Sequence, residues 1–297
     1  MSTRHAGLLA ALSAIWGGSY LLIKYALEGF SAAAIVSARC LLASLVLLAL
    51  GAAGPALRDI RARPRWALCL GLASVAAPFL LITFGEHVVP SGLTAVLISP
   101  ASLFVALLAP LIDPSERIDR RQALGMLMGL GGVALVVGVE SIGTVAEFLG
   151  ALAMVGAAFF YGASTFVVKR RYGQLAAMQT SWISVTVAGL LTLPVGLATT
   201  PGHTPTLGAV AALLALAVVG TAAGFIIYYE LINGVGAGRA SLVSYLAPGV
   251  ALFYGAIFRG ERITVAAVAG LVLILAGVAI ASRRRRVTVR VAAPEYV

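Results

Sequence analysis

What most constrains this chain is a succession of apolar runs, each about as long as a bilayer is thick. A membrane-spanning helix needs about 20 predominantly apolar residues. Runs bounded by charges or by Gly/Pro clusters fall at 6–27, 31–50, 66–86, 92–112, 122–139, 148–168, 178–198, 207–230, 240–258 and 264–281. They fill most of the 297 residues, and the longest connection between them is 51–65. Only 11 % of the residues are charged and 61 % are hydrophobic, whereas a soluble domain carries about 25 % charge. Too few polar groups exist to cover a soluble surface. A soluble enzyme, a disordered regulator and a nucleic-acid-binding domain are therefore excluded. The expected fold class is an all-α integral membrane protein with ten transmembrane helices. A signal peptide is conceivable at the N-terminus. The first run, however, continues past Trp16 to Leu27 without a small-residue cleavage site, which reads as a first span.

Loop charges orient the chain, because cytoplasmic loops carry an excess of Lys and Arg. With the N-terminus inside, 17 of the 21 basic residues fall in inner loops and tails, and only Arg259 and Arg262 fall outside. Lys24 and Arg39 lie within spans. This predicts a multi-pass protein of the plasma (bacterial inner) membrane with both termini cytoplasmic. The net charge of +10 then reflects topology, and no nucleic-acid partner is expected. Residues 282–297 form a basic cytoplasmic tail whose Arg283–Arg286 run suits anionic lipid. The expected partners are a small-molecule solute and the bilayer, with the protein a monomer or homodimer. Cys40 and Cys69 sit in apolar runs with no metal-ligand spacing, so no cofactor is expected.

The two halves of the chain repeat at one offset. Trp16–Lys24 (WGGSYLLIK) matches Tyr161–Lys169 (YGASTFVVK), and Glu116-Arg-Ile matches Glu261-Arg-Ile, both 145 residues apart. Gly125, Gly132 and Val133 match Gly270, Gly277 and Val278 at the same offset. Five spans per half is odd, so the second half enters the membrane upside down. Such inverted repeats support alternating access around a midplane site. Arg39 aligns with Ser184, so the arginine of the second span is not duplicated.

Trp16-Gly-Gly-Ser19, Arg39-Cys-Leu-Leu-Ala43, Pro100 and Glu116-Arg117, followed in the second half by Pro248 and Glu261-Arg262, resemble the EamA domain. Apart from its tails, the chain is similar to a two-domain EamA member of the drug/metabolite transporter superfamily. The resemblance implies two inverted five-helix repeats, 6–139 and 148–281, around a central cavity. It also implies transport, often export, of amino acids, other metabolites or drugs. The spacing departs from the pattern: Pro100 to Glu116 is three residues longer than Pro248 to Glu261. This predicts an irregular inner end of span four.

Charge inside hydrocarbon is costly and often functional. Arg39 is the deepest candidate. It reads either as an anchor for a solute carboxylate or phosphate or as half of a structural ion pair. Lys24 reads as an interfacial anchor whose stem snorkels. Glu86 and Glu230, closing spans three and eight, are candidate proton-coupling carboxylates if buried. Glu116 and Glu261 read as caps on the helices they precede. Candidate cavity residues are Trp16, Ser19, Tyr20, Tyr161, Ser164, Phe79, Phe84, Tyr228, Ser244 and Tyr245, with simple packing or belt positions as the alternative. Pro100 and Pro248 lie at equivalent places inside spans, where a lost backbone bond frees a carbonyl as hinge or ligand. Spans five and ten look like scaffold or dimer-packing helices.

An integral-membrane transferase is disfavoured. Its chemistry needs paired carboxylates or a His/Asp set, and the three histidines (His5, His87 and His203) have no motif partners. The remaining alternative is a proton-coupled exporter of drugs or organic cations. Against it, the first span has no acid before Glu28.

Overall fold

A computed structural model describes residues 2–112, 120–140, 144–200, 202–235 and 243–281. The side chain of Tyr245, the Glu116-Arg117 pair and the tail 282–297 lie outside the described residues. All regular structure among the described residues is helical. In chain order the helices are α1 (Thr3–Leu27), α2 (Ala32–Ala49), α3 (Ala53–Ala62), α4 (Pro64–Gly85), α5 (Ser91–Ile98), α6 (Ala101–Ile112), α7 (Arg120–Glu140) and α8 (Val145–Tyr172). α9 (Ala177–Ala198) follows, then α10, which runs as Leu207–Ala215, Leu216–Ala223 and Gly224–Val235. α11 (Val243–Arg259) and α12 (Val265–Ala281) complete the order. Among the described residues, seven helical stretches are long and apolar enough to cross a membrane, counting α5 with most of α6 as one. α11 and α12 hold shorter apolar stretches.

Inside lipid, backbone donors and acceptors must be satisfied within the protein, which favours long uninterrupted helices. Where they begin, hydroxyl side chains take the orphan N–H groups. Ser31 accepts from Ala34 N at 3.2 Å, Thr144 from Glu147 N at 3.2 Å and Thr206 from Ala209 N at 3.2 Å.

Contacts between helices come in exchanged pairs. Under a shift of 145 residues α1, α2, α4, α5/α6 and α7 map onto α8, α9, α10, α11 and α12. α1 packs on α11, and α8 packs on α5 and α6. α1 also packs on α10, and α8 on α4; α2 packs on α10, and α9 on α4. The pairs α2–α9, α5–α11 and α7–α12 join equivalent helices. Small residues permit the closest of these approaches. A Cβ on Gly17 would lie 2.8 Å from the Ala247 carbonyl, and one on the equivalent Gly162 would lie 2.9 Å from the Ala101 carbonyl. α7 and α12 meet at Gly132 and Gly270, each lying against the other's carbonyl at 2.8 and 3.0 Å from a built Cβ. These helices brace one another.

Two local features differ from the sequence reading. Residues 53–62, expected as loop, form α3, which buries Ala56 and Asp59 and exposes Arg58 and Arg61. Gly51, at φ +86°, makes the turn into it, and Pro64 starts the next helix one residue after it ends. In span four an irregularity falls at Ser99–Pro100, between α5 and α6, while 101–112 is helical and 113–119 lie outside the described residues. Pro100 cannot donate to the Val96 carbonyl. Ser99 Oγ donates to that carbonyl instead, at 2.7 Å. Pro248, by contrast, lies within the continuous α11.

Candidate functional site

Arg39 is the eighth residue of α2, about 12 Å along the helix from its start at 1.5 Å per residue. Only 6 % of it is exposed. Its Nε donates to Thr221 Oγ1 at 2.7 Å, and its Cζ lies 4.2 Å above the centre of the Phe79 ring. The guanidinium is thus gripped from α10 on one side and α4 on the other. Among the described residues no carboxylate forms an ion pair with it. A guanidinium keeps its charge. One hydroxyl and one aromatic face leave most of its donor capacity for an acidic or carbonyl group.

Thr221 is placed by local backbone irregularity. Leu216–Ala223 is a π-helical stretch, which inserts extra residues into the helical turn and often marks functional positions. Thr221 Oγ1 donates to the Leu216 carbonyl five residues back at 2.8 Å and accepts from Arg39. The equivalent helix of the first half has a π-helical stretch at Leu72–Ala76, and Phe79 follows it. Gly220 leaves room beside this contact: a Cβ there would lie 2.9 Å from Ser19 Oγ and 3.8 Å from an Arg39 Nη atom.

Of the expected site residues, Ser19, Tyr20 and Tyr161 gather around this point with Phe79. Ser19 is buried, with its hydroxyl donating to the Ile15 carbonyl at 2.9 Å. Tyr20 and Tyr161, from the equivalent helices α1 and α8, are partly buried and lie within electrostatic reach of Arg39. Ser164 is buried and donates to the Tyr161 carbonyl at 2.9 Å. Pro100 and Pro248 are both buried. The Trp16 and Tyr228 rings meet at an angle of 46°, ring centres 5.2 Å apart, nearer the N-terminal end of α1. Phe84 does not join the cluster and is 54 % exposed. Ser244 is also exposed, and the side chain of Tyr245 lies outside the described residues.

The two carboxylates differ. Glu230 pairs with Arg4, and the two side chains are 38 and 71 % exposed. Glu86 is 1 % exposed, and among the described residues neither of its buried carboxylate oxygens has a hydrogen-bond partner. Lys24 reaches this residue from α1, donating to the Glu86 backbone carbonyl.

Glu261 corrects the reading of a cap on its own helix. Its Oε1 accepts from Ser91 N and Ser91 Oγ, both at 2.9 Å, and its Oε2 accepts from Gly92 N at 3.0 Å and also from Ser91 Oγ. The carboxylate thus caps α5, 170 residues away in sequence. Thr264 caps α12 itself, accepting from Ala267 N at 3.0 Å. Of the residues that matter here, Thr221, Gly220 and Ser91 were not singled out from sequence. The signal available for Thr221 was its isolation: it is the one polar side chain in LAVVGTAA.

A model of the EamA-like transporter family matches residues 5–138 and again residues 148–283. A probable terminal-alkyne amino-acid exporter of Streptantibioticus cattleyicolor is 30 % identical over 91 % of this chain and 90 % of its own length. An uncharacterized transporter of Archaeoglobus fulgidus is 27 % identical over 93 and 98 %. The uncharacterized inner membrane transporter YedA of Escherichia coli is 27 % identical over 87 and 84 %. A solved crystal structure with 18 % identity shares the fold, with a TM-score of 0.66 over 95 % of this chain and 97 % of that one. These relatives are named as transporters and not enzymes, and with both matched stretches spanning most of its length the chain belongs to the EamA-like transporter family.

Proposed function

We propose that this membrane protein exports a small metabolite bearing a carboxylate, an amino acid first among the candidates, by alternating access around Arg39. The observation that carries the proposal is a buried, permanently charged guanidinium without an ion-pair partner among the described residues, held between α2, α4 and α10. A solute carboxylate supplies the acceptor that the protein does not. Phe79, Tyr20 and Tyr161 add aromatic faces for an apolar side chain. The name of the Streptantibioticus relative, an amino-acid exporter, points to the same class.

In this reading the ten helical spans form two inverted five-helix repeats, 6–139 and 148–281. The exchanged contacts support it, and so does the match of one family model to both halves. The termini lie in the cytoplasm and the Lys24–Glu86 end of the bundle faces outward, in keeping with the loop charges. Export of organic cations is the weaker reading, because the central charge is positive.

The test is binding to the purified protein. A panel of L-amino acids is compared with the corresponding amines, which lack the carboxylate, for thermal stabilisation. A ligand that binds only the native state raises its stability by mass action. The amino acids of one class stabilise the wild type, and neither set stabilises Arg39→Ala. Equal stabilisation by amines and amino acids would sink the proposal.

A further inference from the structure

We infer that Glu86 is a proton-binding site at the outer end of the bundle, neutral while that end is packed shut and ionised when it opens to water. The opening rests on the alternating-access reading; the bound proton does not. Glu86 closes α4 with 1 % of its surface exposed and, among the described residues, neither carboxylate oxygen hydrogen-bonded. Taking an ionised carboxylate out of water is costly unless donors replace the lost hydration. The nearest ammonium, Lys24, donates to the backbone carbonyl of the same residue and not to its carboxylate. The packing that buries the group is tight. A Cβ on the preceding Gly85 would lie 2.6 Å from Met154 Cε and 3.0 Å from the Gly150 carbonyl.

The charged and titratable surroundings are as follows. α1 contributes Lys24 and Tyr20, α2 contributes Arg39 and the segment before α12 contributes Glu261. α8 faces the end of α4 with the uncharged Met154 and Gly150. α9 carries no titratable side chain in its sequence. Glu261 is the second carboxylate at this end, and its two oxygens accept from the Ser91 and Gly92 donors. Two neighbouring carboxylates disfavour simultaneous ionisation, and Glu86 is the one without donors. Among the described residues no group of three or more His, Cys, Asp or Glu side chains could hold a metal ion. A proton is the cation that a lone carboxylate without further ligands can take. The step is an acid dissociation: the carboxyl O–H breaks, the proton passes to outside water, and the carboxylate left behind gains Lys24 as the nearest cation.

The same contacts explain why this end would open on ionisation. Lys24 on Glu86 and Glu261 on Ser91 tie α1 to α4 and the segment before α12 to α5. The packed end that they hold shut gives the Glu86 carboxylate no hydrogen-bond donor, so ionisation favours the open end, where water supplies donors.

The experiment has two independent readouts on the full chain in lipid nanodiscs. Infrared difference spectra at neutral pH show the C=O stretch of a buried carboxylic acid. Glu86→Gln removes that band and Glu86→Asp, which preserves the acid, shifts it. If neither substitution changes a protonated-carboxyl band, the proton site is overturned whatever the protein transports. The coupling is read with a membrane-impermeant maleimide on Thr94→Cys, a fully buried position of α5, relative to the exposed loop reporter Thr204→Cys. Cys40 and Cys69 are replaced by serine in both. The labelling ratio rises from acid to alkaline buffer when Glu86 is present and becomes independent of pH in Glu86→Gln. A ratio with the same pH dependence in both proteins overturns the coupling.

Discussion

Glu86 and Glu230 occupy nearly equivalent places in the two halves, one residue short of the 145-residue offset, and have opposite surroundings. Glu230 lies at the surface and is satisfied by Arg4. Glu86 is buried, and among the described residues its carboxylate has no partner. The matching lysines differ in the same way: Lys24 reaches the Glu86 carbonyl, whereas Lys169 is exposed. Duplication preserved where the residues stand along the helices. It did not preserve what stands opposite them. The same holds at the centre, where Arg39 in α2 corresponds to Ser184 in α9. Ser184 donates to the Ser181 carbonyl of its own helix at 2.9 Å. The helix contacts are thus exchanged between the halves, while the partners of these polar side chains differ between them.

Making the two sides alike at the centre has the largest expected effect. Arg39→Ser, which copies α9 into α2, removes the charge that the proposed function assigns to the solute carboxylate. Hydrogen bonds to charged groups are worth about 1.5–3 kcal/mol, so affinity falls by at least about tenfold in a calorimetric titration. Unchanged affinity would show that the asymmetry at this pair carries no function.

Next come the symmetric close approaches. Gly17→Val and Gly162→Val each place atoms within 3 Å of a neighbouring helix. Overpacking costs about 1–3 kcal/mol, and comparable losses in thermal stability are expected at the two positions. A loss at only one of them would show that the two halves are packed differently after all.

Thr221→Val keeps the shape near Arg39 and deletes its hydroxyl partner. A cost of about 1–3 kcal/mol is expected, because Arg39 Nε loses its acceptor, read as weaker solute binding with the protein still folded. The smallest effect belongs to the surface carboxylate. Glu230→Gln changes stability by less than about 1 kcal/mol, as exposed ion pairs do, and this variant retains full solute binding.

Much of the fold was legible because lipid imposes one requirement everywhere: apolar runs about 20 residues long, each ending at charge, Gly or Pro. Arg39 was legible for the same reason, as a charge in such a run. α3 was not, since a ten-residue helix lying beside the spans has no long apolar signature. Thr221 was hidden by its π-helical stretch, which turns the side chain away from the direction a regular helix would give it. Glu261 misled because the helix start it serves is close in space and 170 residues distant in sequence. Pro100 looked like a source of a free carbonyl, but Ser99 occupies that carbonyl with its own hydroxyl. Burial separated Glu86 from Glu230, and burial at a helix end depends on neighbours the local sequence does not show.

The central claim is that solute crosses the membrane while paired to Arg39, and counterflow in proteoliposomes tests it most directly. Vesicles are preloaded with the unlabelled amino acid that stabilises the purified protein most, and entry of its radiolabelled form is followed. Wild-type vesicles accumulate label transiently above equilibrium, and Arg39→Ala vesicles of equal protein content do not. Equal accumulation by both would contradict the account.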